Sequence, residues 1–273
     1  MLVSIIIPVY NSNKTIERSI SSVIKSVEMN TEDYEIICID DGSKDNSLAI
    51  LKELSKNNRR IKVFSQKNKG AAAARNAGLE IANGSYIAFN DSDDEWSVEH
   101  FSELMKIFKM FPDVKCVSAN HDIEHQKTYG LRKIAENLFE VNINAQQFKN
   151  YFSPQNSMIS KEIIEFGIRF NPVMRGSEEF LFYNHILKNF KCLFYNKKIS
   201  QSILHKFRYG QSGLSGNLKE MEKGELFAIK DAHINLGISN FVFFGAYIVS
   251  VFKYIKRIII VKFRRNQFKG ILK

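Results

Sequence analysis

Two acidic clusters are the groups in this sequence best suited to chemistry. Asp91, Ser92, Asp93 and Asp94 follow one another directly. Carboxylates this close repel each other unless something positive compensates. Such a turn can be solvated, or can cap the helix that follows. It can also hold a hard divalent cation, Mn²⁺ or Mg²⁺, which takes one or two carboxylates and completes its shell with substrate phosphates. The second cluster is Asp40-Asp41-Gly42-Ser43-Lys44-Asp45. Gly42 suits a left-handed turn and Asp45 a helix cap. Neither role explains why an apolar run should close on two acids. One of them, facing a crevice, can accept a hydrogen bond from a nucleobase imide or a ribose hydroxyl. No GxGxxG follows the first apolar run and no GxxxxGK[ST] is present, so the dinucleotide and P-loop phosphate cradles are excluded. A diphosphate would then need a metal and a cation. Arg75, in the alanine-rich segment 70–78, is a candidate for that cation, or else an ordinary surface arginine.

The elements that position these groups alternate. Residues 2–9 and 34–39 are short, β-branched apolar runs, and residues 61–64 and 85–90 read as further strands. Between them, apolar residues recur at helical spacing in 14–29, 47–54 and 70–82. Repeated βα units predict a mostly parallel sheet covered by helices on both faces. Such sheets bind ligands outside the carboxyl ends of their strands. Tyr10 and Asn11, Asp40 and Asp41, and Asp91 to Asp94 each follow a strand, so all three polar groups are expected on one sheet edge. After residue 100 the alternation weakens. A helix is expected over 98–111 and a strand over 114–119. A mixed stretch runs to Pro172, a helix lies around 178–188, and a strand near 191–195.

Composition narrows the class. The chain has 273 residues, is 44% hydrophobic and 25% charged, and has four prolines, which are globular proportions that exclude disorder and collagen. Cys38, Cys116 and Cys192 are far apart with no CxxC, so neither a zinc site nor a disulfide framework is expected, and a reducing compartment is the simplest reading. The first apolar run ends at Pro8 and reads as a buried strand instead of a secretory signal. No stretch reaches the ~20 apolar residues of a spanning helix. The formal charge is +10, and the segment 253–273 supplies eight basic residues and no acid. The nearly neutral body argues against nucleic-acid binding and points to a tail that meets an anionic surface.

Four motifs together resemble glycosyltransferase family 2. They are PVYN at 8–11, IDDGSKD at 39–45, GAAAARNAG at 70–78 and FNDSDDEW at 89–96. The resemblance covers residues 1–215. It implies a GT-A fold, an α/β architecture with a Rossmann-like, mostly parallel sheet, and an inverting, metal-dependent transfer from a UDP-sugar. Its roles carry over to Pro8, Val9, Tyr10, Asp40, Asp41, Arg75, Asp91 and Ser92 as contacts of the nucleotide sugar, with Asp41 on the uracil imide and Tyr10 against the base. Asp93 would hold the metal on the diphosphate, helped by Asp91, and His205 is a further possible ligand. GSEEFLF at 176–182 resembles the family's Glu-Asp pair, which carries the catalytic base. Glu179 stands where Asp is commoner, so the base is Glu179 or Glu178. An acidic first helical turn favoured by the helix dipole accounts for the same pair. The basic, Ser-containing segment 205–215 resembles one that touches the diphosphate.

Three further expectations follow. The catalytic domain spans 1–216, divided into a donor half (1–96) and an acceptor half (97–216), and a helical tail spans 217–273. In that tail Phe241, Phe244, Ile248, Val251, Ile255, Ile258 and Ile259 recur at helical spacing, with Lys253, Lys256, Arg257 and Arg264 on another side. That is the pattern of an interfacial helix on anionic lipid, placing the protein peripherally on the cytoplasmic face of the cell membrane; a helix packed on the body is the other reading. The family's habits favour UDP-glucose or UDP-galactose as donor. They favour a polyprenyl-diphosphate-linked GlcNAc or GalNAc saccharide as acceptor, in O-antigen or capsule synthesis, with a β-linked product. A sugar nucleotidyltransferase, which would carry a GxGTR-type loop, and a non-catalytic sugar-binding protein are the alternatives.

Overall fold

The computed structural model describes residues 1–128, 130–204 and 216–271. The first half alternates as β1 (Leu2–Val9), α1 (Ile16–Glu28), β2 (Asp33–Asp40), α2 (Ser47–Asn57), β3 (Ile61–Ser65), α3 (Ala71–Ile81) and β4 (Tyr86–Phe89). These four strands lie in the order β3-β2-β1-β4, all parallel. From Val3 to Val9 every β1 residue is buried, as expected of a strand with helices on both faces. On one face α1 presents Ile16, Ile20, Val23 and Val27 to the core. On the other, α3 packs with Ala72 and Ala74. A Cβ at Gly78 would stand 2.5 Å from the Ile6 side chain, so the glycine is what lets α3 approach the sheet.

The second half is β5 (Asp94–Trp96), α4 (His100–Met110), β6 (Val114–His121), β7 (Arg132–Ala135), β8 (Leu138–Val141), α5 (Ile143–Phe148), β9 (Ser157–Ser160), α6 (Lys161–Glu165), α7 (Glu178–Asn189) and β10 (Lys191–Ser202). It extends the same sheet as β4-β9-β6-β10-β8-β7. Here the pattern becomes mixed, because β9 inserts antiparallel between β4 and β6. β10 runs parallel to β6, and its far end also pairs antiparallel with β5. The sequence did not announce β9 or β5, since runs of four and three residues are too short to show a period. Cys38, Cys116 and Cys192 are buried free thiols, and burial pushes the Cys38 thiol up to about 12.

Two helices follow, α8 (Leu218–Ile234) and α9 (Asn240–Ile271). Apolar packing crosses the expected boundary at 216/217. Ala228 and Ile229 of α8 and Ala246 of α9 share one apolar cluster with Phe180 and Leu181 of α7. Contact is close where α8 crosses the loop before α7. A Cβ at Gly224 would fall 2.0 Å from the Gly176 carbonyl oxygen. The two tail helices are clasped by charge. Lys253 and Arg257 reach Glu225 at 3.5 and 3.0 Å, and Ser250 donates to Glu222 at 3.1 Å. These two basic residues therefore face α8 and not an outer surface. Gly224→Ala is expected to cost about 1–3 kcal/mol by overpacking against backbone that cannot yield, read as a lower urea midpoint with an unchanged slope.

Candidate active site

The three expected strand tips do meet. Val9, at the end of β1, pairs with Asp40 at the end of β2, and Ile6 of β1 pairs with Phe89 at the end of β4. Side chains then stitch the loops together. The Ser12 and Ser92 hydroxyls are 2.7 Å apart, the Ser12 amide donates to the Ser47 hydroxyl at 2.7 Å, and the Lys44 amide donates to Asn11 Oδ1 at 2.8 Å. Asn11 has φ of 51°, a left-handed turn that Asn tolerates better than most residues. It leaves Tyr10 exposed at the crevice. The Val9 side chain lies in the core, and its carbonyl accepts from the Asp41 amide at 2.8 Å. Pro8 is likewise buried in β1.

Asp40 and Asp41 are both buried. Asp40 accepts from the Ser65 hydroxyl at 2.9 Å and the Ser43 amide at 3.3 Å. Asp41 Oδ1 accepts from Gln66 Nε2 at 2.7 Å and the Lys69 amide at 2.9 Å, and its Oδ2 accepts from the Gly70 amide at 2.8 Å. Asp41 thus fixes the loop that leads into α3. A carboxylate oxygen has two lone pairs, so Oδ2 keeps acceptor capacity for a ligand.

Arg75 is no surface arginine. It is buried on α3, and its guanidinium donates from Nη2 to Asp91 at 2.7 Å and from Nη1 to Glu178 at 3.3 Å. Burial works against its charge, but Asp91 and Glu178 outweigh that and raise its pKa. This bridge brings the start of α7 to the acidic turn at the tip of β4. Asp91 also accepts from the Ser19 hydroxyl through its carbonyl, at 3.1 Å. The Asp93 carbonyl accepts from the Ile203 amide at 2.9 Å, which ties the turn to the end of β10.

Glu178 and Glu179 open α7 after Ser177, a non-glycine residue with φ of 55°. The Ser177 hydroxyl donates to the Met221 carbonyl at 3.0 Å, so α8 steadies this strained entry. Glu178 is held by Arg75. Burial, then the adjacent Glu178 charge, push the Glu179 carboxyl up to about 8, against its own backbone hydrogen bond and Arg75. A carboxylate of that basicity is poised to take a proton near neutrality.

Among the described residues no three His, Cys, Asp or Glu side chains form a complete metal-ligand set. Asp91 and Asp93 nevertheless supply hard oxygen donors on a strand-tip turn. They suit a cation whose remaining positions are taken by substrate phosphates and water. His205 lies outside the described residues, as does the basic segment 205–215.

The sequence reading missed the wall beside Asp93. A cleft of about 580 Å³ opens there, bounded by Asn120, His121 and Asn156 among others. His121 Nε2 is 3.6 Å from Asp94 and 3.1 Å from Asp122. Asn120 Nδ2 donates to Asn196 Oδ1 at 2.8 Å. The signal was present in the sequence: β6 also ends in a polar tip, Ser118-Ala119-Asn120-His121.

Residues 4–167 match the family model for Glycosyl transferase family 2, and the chain belongs to that family. It is 30% identical over 72% of its length to glycosyltransferase GlyA of Streptococcus pneumoniae serotype 4, matching 30% of that protein. It is 29% identical over 79% of its length to an uncharacterized glycosyltransferase of Haemophilus influenzae, matching 82% of that one. A segment of 96 residues is 45% identical to a poly(ribitol-phosphate) beta-glucosyltransferase of Bacillus spizizenii, 15% of that protein. The chain spans less than a third of the length of the first curated relatives it matches, 23%, 30% and 29%. Among solved structures, residues 1–349 of Staphylococcus aureus TarS in complex with UDP-GlcNAc superpose with a TM-score of 0.68 at 19% identity, over 90% of this chain and 70% of that one. A Pyrobaculum calidifontis mannosyltransferase in complex with GDP-Man and Mn²⁺ gives 0.65 at 15% identity, over 90% and 68%. The architecture is the GT-A fold.

If Glu179 is the proton acceptor, kcat/KM should rise with pH and level off above about 8, because only the ionised carboxylate can act. Glu179→Gln should remove that limb and lower the rate by at least ~10²-fold, the low end for a general base. A pH–rate profile of both proteins checks this.

Proposed function

We propose that this chain is an inverting hexosyltransferase that uses a UDP-sugar donor. The observation that carries the reading is the Arg75 bridge, which brings a basic carboxylate at the start of α7 to the acidic turn after β4. Tyr10 stacks on the base, Asp41 accepts from the uracil imide, and Asp40 orders the loop behind it. Pro8 and Val9 act through the backbone of β1. Asp91 and Ser92 lie at the ribose or donor sugar, and Arg75 sits behind them. Asp93, with Asp91 and His205, would hold Mn²⁺ or Mg²⁺. Bound there, such a cation supplies Lewis-acid charge on the diphosphate.

Glu179 accepts the proton of the acceptor hydroxyl as that oxygen bonds to the anomeric carbon. The bond from that carbon to the diphosphate breaks, and UDP leaves with the electron pair. Glu178 stays paired with Arg75 and raises the basicity of its neighbour. A single base opposite the leaving group inverts the centre, so an α-linked donor gives a β-glycoside. UDP-glucose or UDP-galactose is the favoured donor, and the beta-glucosyltransferase relative supports the first. The acceptor in this reading is a polyprenyl-diphosphate-linked saccharide in O-antigen or capsule synthesis. Residues 1–216 carry the chemistry, with α8 bracing it, and no nucleic acid takes part.

The tail supports a location. Among the described residues no helix is long and apolar enough to cross a membrane. Yet α9 exposes Phe241 (86%), Phe244, Ile248, Phe252 (68%), Ile255, Ile259 and Phe263 (70%), and these recur every three or four residues. Lys256 and Lys262 are exposed beside that stripe. An aromatic stripe flanked by lysines fits the headgroup region of an anionic bilayer. The protein in this reading lies on the cytoplasmic face of the cell membrane.

Asp93→Ala is expected to reduce UDP release from a UDP-sugar and acceptor to background, and EDTA to do the same to the wild type. Full activity without metal would refute the cation's role. Replacing Phe241, Phe244 and Phe252 together by Ser should weaken attachment to phosphatidylglycerol vesicles by roughly a thousandfold or more, since each buried Phe contributes about 1.5–3 kcal/mol. Co-sedimentation measures it, and unchanged attachment would remove α9 from the interface.

A further inference from the structure

Two cavities adjoin on the side of the sheet built by the second half of the chain, and their chemistries differ. The first is the cleft of about 580 Å³ beside Asp93, bounded by Asn120, Asn150, Gln155 and Asn156. Its described lining contains three aspartates and no lysine or arginine. The second, of about 700 Å³, is lined by Lys127, Asn142, Asn144, Phe148, Lys149 and Tyr151 among others, and its described lining contains no acid. Tyr151 borders both, and the neighbours Gln126 and Lys127, like Lys149 and Asn150, divide between them. The Lys149 ammonium stands at this junction. It lies 5.1 Å from the centre of the Tyr151 ring and donates to the Lys127 carbonyl at 2.5 Å. Beyond it, Phe148 packs against α9. A Cβ at Gly245 would meet the Phe148 ring at 3.2 Å. Gly245 directly follows Phe244, one of the exposed aromatics of the α9 stripe.

From the acidic turn outward, the surface thus runs from carboxamides to two lysines to aromatic and apolar groups. Carboxamides pair with neutral hydroxyls, and aspartates beside them repel an anion. Lysine is a compact charge suited to phosphate. The order matches an amphiphile with a sugar at one end, a phosphate next and a hydrocarbon tail. We infer that Lys149, with Lys127, binds the phosphate of such an acceptor, with its sugar in the carboxamide cleft and its tail passing Phe148 towards α9. This rests on the glycosyltransferase reading and gives its acceptor a binding site.

Calorimetric titration of farnesyl phosphate into the full chain, held with saturating UDP and Mn²⁺, tests the assignment. Farnesyl phosphate should bind the UDP-loaded protein, and farnesol at least about tenfold more weakly. Lys149→Gln and Lys127→Gln should each weaken farnesyl phosphate by about tenfold, the scale of one lost charge-assisted hydrogen bond. Lys149→Arg should restore most of that loss. Titration of UDP into each protein before that loading reports that each variant is folded. Competition between farnesyl phosphate and UDP, or equal binding by the wild type and both glutamine variants, overturns the inference while leaving the donor site standing. It also falls if Lys149→Gln weakens attachment to phosphatidylglycerol vesicles but not farnesyl phosphate binding, since the site then belongs to bilayer headgroups. Absence of UDP binding by the wild type would instead bring down the reading beneath it.

Discussion

The buried guanidinium of Arg75 sets the constraint on which the site depends. An arginine taken out of water needs partners that offset its lost hydration, and this one has Asp91 and Glu178. Those partners lie 16 and 103 residues away in the chain. One side chain therefore joins α3, the turn after β4 and the start of α7. Remove it, and two carboxylates face each other without compensation. The same bridge explains the division of labour between the adjacent glutamates. Glu178 is spent on the arginine. Glu179, half-buried next to that negative charge, is left with its carboxyl raised to about 8.

The rest of the second half serves that junction. α7 enters through a left-handed serine, a conformation that needs outside support, and α8 gives it through the Ser177–Met221 hydrogen bond and the close passage at Gly176 and Gly224. The clasp of Lys253 and Arg257 on Glu225 then fixes α9 on α8. The helices after residue 216 are thus part of the frame that holds the start of α7, while α9 still leaves an aromatic stripe uncovered. One face of α9 is thus packed on α8, and the opposite face carries the exposed stripe.

Much of the first half could be read directly. The β-branched runs, the alanine-rich helix and the acids closing β2 and β4 are local patterns, and a parallel βα sheet gathers its strand tips on one edge whatever its loops do. The motifs at 8–11, 39–45, 70–78 and 89–96 identified the family for the same reason, since each is a contiguous stretch. The second half was less legible. β9 is four residues long and β5 three, and both owe their existence to the partners they pair with. That the Val9 side chain would be buried in the core was likewise settled only by the helices packed on β1.

The sequence by itself determined the parallel first half, the polar groups at its edge, and the run of basic and aromatic residues at the other end, because composition and period are properties of neighbours in the chain. Only the tertiary structure decided which of those groups are partners. It turned Arg75 inward, engaged Asp41 with the loop before α3, pointed Lys253 and Arg257 at α8, and built a carboxamide-lined cleft from β6 and the segment before β9. Charge pairing and burial act through space between segments scores of residues apart, and no local pattern records which of them will meet.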